Sequence, residues 1–568
     1  MQEFYSSSLQ IRVRGGKNFI EEETIRTQEL VLSSDDGLTE EARKLLSSYY
    51  FPPDKIKGEE KFKVGEVLSS AAFVYEKVRN AVDYKGEHLL RRNAIERILK
   101  RLLWENPSLS ENPNSLARIV VKELIWARYV QNDSLSVSTL NQIGKSLQKY
   151  AEIFEAIKTH YKNKKEKKTW KNWFLGIASS ELEFLIDKKL TEQDALSHAM
   201  KAWMDKRYEW KDTQIDEEEK SIQLTTATHR SLFKLDLARV RFFMVKHYHK
   251  NWMTNPEVNM ADLFEKAKEI EEILDSDVQT RLYRYTQKLV AHFHILGYVA
   301  RRNIDKLEGM FSDKEVLESE VREVCESKYE EIGRRVNTGI VRSIIYIFAT
   351  KVLVGLLLEV PFEKYILGEI GWIPLVFNLL IPPLLMLVIG LSIRKPGEEN
   401  TKVILERIND FVYADKNSAV TGFSVVPKKR SGFLNNAFMF FYLLFFLLTF
   451  GGIAYLLYWL GYNPFSALIF YMFLSLVLLF GYRVKYNASE LNAYDDKEGF
   501  VSHFITNLSL PFLKAGLWLS DQVGKINILL IIFDFLIEAP LKSVLKVVDE
   551  WTGFVREQRE EVVDMPVR

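Results

Sequence analysis

Lys351 lies near the middle of an apolar stretch that otherwise reads as a membrane-crossing helix. An ionised side chain at the centre of a bilayer costs about 2.5–3.5 kcal/mol on insertion scales, so it is expected to face a bundle interior and find a partner. Asp534 and Glu538, which interrupt an apolar run near the other end of the chain, are the carboxylates expected to neutralise it. A second apolar stretch carries Asn378 and the pair Pro382-Pro383. Two prolines remove backbone donors and free two carbonyls, which predicts a kinked or broken helix. A lysine, an amide and freed carbonyls are groups that can bind an ion or a polar solute. A third constellation is basic: Lys158, Lys162, Lys164, Lys165, Lys167, Lys168 and Lys171, close to Trp170 and Trp173, with Glu166 the one acid among them. That pattern suits anionic lipid headgroups, with the indoles at headgroup level, or RNA phosphate with the indoles stacking on bases. The plain alternative is a solvated charged face.

Other spacings lead nowhere. Gly144-Lys145-Ser146 resembles the end of a phosphate-binding loop, but that loop needs a glycine five residues earlier, where Thr139 stands. His247-Tyr248-His249 and His292-Phe293-His294 are the paired histidines. Positions i and i+2 of a helix point about 200° apart, so neither pair chelates by itself. No HExxH, GxSxG or CxxC pattern occurs, and the single cysteine, Cys325, has no nucleophile's surroundings. No metal, cofactor or enzymatic activity is therefore expected.

These residues must be held by elements of two kinds. Positive and negative side chains balance, 77 against 76, so only local clusters can attract a charged partner. Mean hydropathy is −0.11, yet apolar residues concentrate after about residue 340. Residues 1–35 read as a β-hairpin or a disordered segment, with Leu9, Ile11 and Val13 alternating before Gly15-Gly16. Residues 36–335 read as a helical cytoplasmic domain. Thr39 before Glu40-Glu41 is an expected N-cap, Thr191 another, and Ser312-Asp313-Lys314-Glu315 fits a capping box. The stretch Val82–Trp104 is amphipathic, with Ile95, Ile98 and Leu102 at helical spacing.

Residues 336–485 read as a membrane domain with spans at about 340–358, 371–393, 437–460 and 464–482, each near the ~20 residues that a ~30 Å core requires. The loop between the first two holds Glu359, Glu363 and Glu369 against Lys364; the loop between the second and third is rich in lysine and arginine. By the positive-inside rule four spans put both termini in the cytoplasm, and a reduced Cys325 agrees. Met1 to Gly15 has no apolar run long enough for a cleavable signal peptide, so the first span is expected to be the insertion signal. Residues 486–568 read as amphipathic helices lying in the headgroup layer or against the spans.

The fold class expected is mainly α: a soluble helical domain, a four-helix polytopic membrane region and an amphipathic tail. The function expected is a non-enzymatic, membrane-anchored scaffold or regulator in a plasma or bacterial inner membrane. Its partners are the bilayer, anionic headgroups and a second copy of itself, with RNA the weaker choice. The alternative is an oligomeric channel or transporter using Lys351 and the broken second span.

Overall fold

The computed structural model describes residues 37–49, 61–64, 89–105, 113–212, 214–233, 236–254, 258–413, 420–426, 432–494 and 500–525, with isolated positions between 73 and 79 and between 547 and 558. The expected hairpin in 1–35, Asp534 and Glu538 lie outside the described residues. The fold is mainly α, and four helices are long and apolar enough to cross a membrane: Lys314–Leu367, Trp372–Ser392, Asn436–Trp459 and Pro464–Ala488.

In chain order the soluble helices are α1 (Glu40–Tyr49), α2 (Leu90–Leu99), α3 (Pro113–Trp126), α4 (Val137–His160), α5 (Lys164–Ile186) and α6 (Lys188–Arg207). Strand β1 (Tyr208–Trp210) follows, then α7 (Glu217–Leu232), α8 (Leu237–Tyr248), α9 (Met260–Asp275), α10 (Asp277–Gln287), α11 (Val290–Arg302) and α12 (Leu307–Ser312). Each buries an apolar stripe, and the stripes meet in two clusters. One is built by α2 to α5, α8 and α9 around Tyr150, Phe174, Phe242 and Trp252. The other joins α1, α6, α10, α11 and α12 around Met200, Phe293 and Phe311. Helices α6 and α7 line the joint, sending Leu190 and Ile222 to the first cluster and Leu196 and Ala227 to the second.

Local capping decides several boundaries. Thr39 caps α1 as expected: its hydroxyl accepts from the Ala42 N–H, 3.1 Å, and donates to the Phe411 carbonyl, 2.7 Å. Helix α6 starts earlier than its sequence suggests, because Asp187 rather than Thr191 accepts from a first-turn N–H, that of Lys189. The helix after α12 is capped by Asp313, whose carboxylate accepts from Glu315 and Val316, while Ser312 turns back to the Glu308 carbonyl. A carboxylate one position on makes the better acceptor for two free N–H groups.

That helix, α13 (Lys314–Val354), ties the soluble and apolar parts together. Its first turns bury Leu317, Val321, Val324, Cys325, Tyr329 and Ile332 in the second cluster. Further on, Ile340 and Ile347 pack with Met386 and Val477. Helix α14 (Trp372–Ser392) then returns, and α15 (Glu398–Tyr413) leaves the bundle and buries Ile404, Leu405, Ile408, Phe411 and Val412 in the second cluster. Strand β2 (Thr421–Phe423) pairs in parallel with β1. Helices α16 (Gly432–Trp459) and α17 (Pro464–Ala488) form a hairpin over Gly461, which has φ +78°, a conformation that suits glycine. After α17 the chain rejoins the second cluster through Leu491 and Ala493.

The beginning of α13, the segment after α14, β2 and the end of α17 thus all meet the soluble part. Asn400 fastens three of these elements. Its amide donates to the Tyr329 hydroxyl and the Leu491 carbonyl, both 2.8 Å, and its oxygen accepts from the Ala493 N–H, 2.7 Å. Helix α18 (Phe500–Lys525) packs against α16 and α17: Phe512 joins Phe450 and Tyr471 in a cluster of three rings. Of the two sites expected for the tail, headgroup layer or span surface, this part takes the second.

Candidate functional site in the membrane bundle

The sequence places Glu359 and Glu363 in a loop, but α13 does not stop where the apolar run stops. It continues through π-helical turns at Gly355–Glu359 and Glu363–Leu367. Such widened turns recur at functional positions because they re-aim side chains that a regular helix would send elsewhere. Here Lys351, Glu359 and Glu363 all face inward. Lys351 and Glu359 are each 1% exposed, Glu363 2% and Asn378 0%.

Lys351 Nζ lies 3.4 Å from Glu359 Oε1 and 4.5 Å from the centre of the Phe473 ring on α17. The attraction of the ring face adds to that of the carboxylate. Among the described residues, the carboxylate that faces Lys351 is one on its own helix. Asn378 on α14 donates its amide to the same Glu359 oxygen and to the Ser466 carbonyl, 3.3 Å, while its own oxygen has no hydrogen-bond partner among the described residues. Glu363 is differently placed. It accepts from the Gly371 N–H at 2.9 Å, from Asn463 at 2.7 Å and from the Ser466 hydroxyl at 3.0 Å. Gly371 and Asn463 are the N-caps of α14 and α17, so one carboxylate sits where two helix dipoles present their positive ends.

Chemically the cluster is a lock. An unpaired buried charge is strongly destabilising, whereas a paired and hydrogen-bonded one fixes which helices must meet. Lys351, Glu359, Asn378 and Ser466 hold α13, α14 and α17 in one register. Pro382 and Pro383 do not break α14, which runs from Trp372 to Ser392 as one helix with Pro382 buried in the bundle. A proline removes a donor and need not end a helix whose neighbours hold it in place.

The basic constellation straddles the turn between α4 and α5. Lys158, Lys162, Lys164, Lys165 and Lys168 are exposed, and Lys167 and Lys171 are partly covered. The tryptophans are not on that surface as expected. Trp173 is buried, with its indole N–H donated to Glu271 at 2.7 Å, and Trp170 is half-buried, stacked on Tyr161. Both fall on the apolar side of α5, because residues three apart on a helix share a face.

Two further polar clusters are absent from the sequence reading. Glu181 on α5, buried, accepts from Lys149, Tyr150, Ser146 and Trp252 at 2.6 to 3.0 Å, which satisfies its charge completely. Asp194 on α6 meets His229 of α7 at 3.0 Å and Lys246 of α8 at 2.7 Å, with His198 of its own helix at 3.5 Å. Burial would raise the Asp194 carboxyl, but the His229 hydrogen bond and the charges of His229 and Lys246 outweigh it and hold the group well below the usual carboxylate range. The sequence signal was the i, i+4 pair Asp194 and His198, which a search for paired histidines passes over. No known protein family, curated protein or solved structure matches the chain.

Proposed function

We propose that this chain is a membrane-anchored scaffold or regulator, multi-pass in a plasma or bacterial inner membrane, with both termini cytoplasmic and the helical domain as its working part. The observation that carries this reading is that anchor and domain share one helix: α13 begins in the soluble core and ends in the sealed Lys351–Glu359 cluster. A force or displacement at one end is transmitted to the other without a flexible joint. Sealing favours an anchor over a conduit, because an ion path needs polar groups that water can reach. The four-span topology draws support from the chain's repeated return to one side of the bundle.

In proteoliposomes the protein is expected to leave cation, anion and proton permeability at the level of empty vesicles. Flux that Lys351→Met abolishes would instead establish the channel or transporter reading. With Cys325→Ser as background, Lys364→Cys should react with an impermeant maleimide from outside intact cells, and Lys429→Cys only after permeabilisation. Labelling of both from one side would overturn the topology.

A further inference from the structure

At the joint between the two soluble clusters, α6 presents Asp194 and His198 one turn apart and α7 brings His229 against them. Hydrogen-bond accounting at His229 leaves a vacancy for a positive charge. Its Nδ1 lies 2.8 Å from the Thr225 carbonyl, which can only accept, so Nδ1 carries the ring proton. Its Nε2 lies 3.0 Å from Asp194 Oδ1, a second acceptor. With Nδ1 already donating, the Nε2–carboxylate contact must hold either a proton or a metal cation between its two atoms. His198 Nε2 approaches the same Asp194 oxygen at 3.5 Å, and the ligand atoms of all three residues lie within 4.8 Å of one another. In a tetrahedral site with metal–ligand distances of 2.0–2.1 Å, neighbouring ligand atoms stand about 3.4 Å apart. The two measured separations bracket that value.

We propose that Asp194 Oδ1, His198 Nε2 and His229 Nε2 bind a divalent transition-metal ion of the Zn2+ class, stapling α6 to α7. Two imidazoles and one carboxylate select Zn2+, Co2+ or Ni2+ over Mg2+ and Ca2+, which prefer oxygen ligands. The Thr225 carbonyl is the outer contact that fixes the His229 tautomer, as metal-binding histidines require. His198 is exposed, so the fourth position opens to solvent and takes water. Lys246 holds the other Asp194 oxygen. It balances the carboxylate in the metal-free protein and opposes a dication, so removing its charge should tighten binding.

The test uses the full chain in detergent, without a histidine tag and stripped with chelator, titrated with Co2+. The expected result is one equivalent of bound ion with a visible d–d band, displaced by Zn2+ but not by Mg2+ or Ca2+. His198→Ala, at an exposed position, should abolish the band while leaving metal-free thermal unfolding unchanged, and Lys246→Gln should tighten binding at least tenfold. An unchanged band in His198→Ala, no band in any form, or a band in Lys246→Gln alone would each overturn the proposal. The Asp194–His229 contact would then be a hydrogen bond and nothing more.

Discussion

At the scale of single residues, His292 is a buried polar group with both ring nitrogens uncompensated among the described residues. It is completely buried beside Trp203, 5.0 Å away. Burial, with help from Arg407 and His294, holds its pKa well below the usual value. The folded protein therefore resists protonating a ring that the unfolded chain protonates at about 6.5. Stability should be flat above that pH and fall below it, by up to about 1.4 kcal/mol per pH unit for this one group. His292→Leu should unfold with a shallower pH dependence between pH 6.5 and 5, and His198, His247 and His249, which burial also holds low, contribute to the slope that remains. Identical slopes for the two proteins would exclude His292 as the group. Lys351 and Asn378 were legible as site residues because a polar side chain in an apolar run stands out. Glu359 and Glu363 were not, because they follow the run, and only the widened turns of α13 carry them back inside. Asp194 was hidden for the opposite reason: one carboxylate among many says nothing until a second helix meets it.

At the scale of elements, the last three apolar runs coincide with helices long and apolar enough to cross a membrane, Trp372–Ser392, Asn436–Trp459 and Pro464–Ala488, whereas the helix that holds the first starts at Lys314 and reaches Leu367. Helix packing was not legible, since it depends on small residues whose neighbours are distant in sequence. Gly516 of α18 illustrates this: a Cβ there would lie 2.4 Å from the Ser475 carbonyl of α17, against which the helix rests. Gly516→Ala should lower thermal stability in detergent by about 1–3 kcal/mol, the usual range for overpacking. Gly451→Ala, where nothing lies within 4 Å, is the control and should be close to neutral. Equal effects would mean that α18 does not rest on α17. The α4–α5 turn makes a separate prediction. The full chain in neutral nanodiscs should capture anionic vesicles and release them as salt rises, since each lysine near such a surface contributes about 1 kcal/mol. Lys164, Lys165, Lys167 and Lys168 changed together to Gln should remove most of the binding. No salt-resistant remainder is expected, because Trp173 is committed to the core. Capture of RNA but not vesicles would replace the lipid reading.

At the scale of the whole molecule, the boundary between soluble domain and membrane domain does not fall where the sequence divides. The soluble core closes only when α15, from the loop between the second and third spans, is inserted into it. Burying Ile404, Leu405, Ile408, Phe411 and Val412 contributes roughly 7–15 kcal/mol at about 1.5–3 kcal/mol each, as much as the whole stability of an ordinary domain. The polar contacts agree. The Thr39 N–H donates to the Val412 carbonyl at 2.8 Å, the Trp203 indole to Asp410 at 2.9 Å, and the Tyr413 hydroxyl to the Phe311 carbonyl at 2.9 Å. A charged loop reads in sequence as a solvated connector, because half a helix's residues suffice to hide an apolar face. A fragment of residues 37–335 should therefore expose that face: it should bind a hydrophobic dye and melt without a cooperative transition. The same fragment joined by a flexible Gly/Ser linker to residues 394–426 should bind less dye and unfold in one cooperative step. If the two fragments unfold alike, α15 is an accessory and the soluble domain is independent of its anchor. If only the linked one folds, the domain cannot close without chain that follows the first two apolar helices in sequence, and its folding waits on their synthesis.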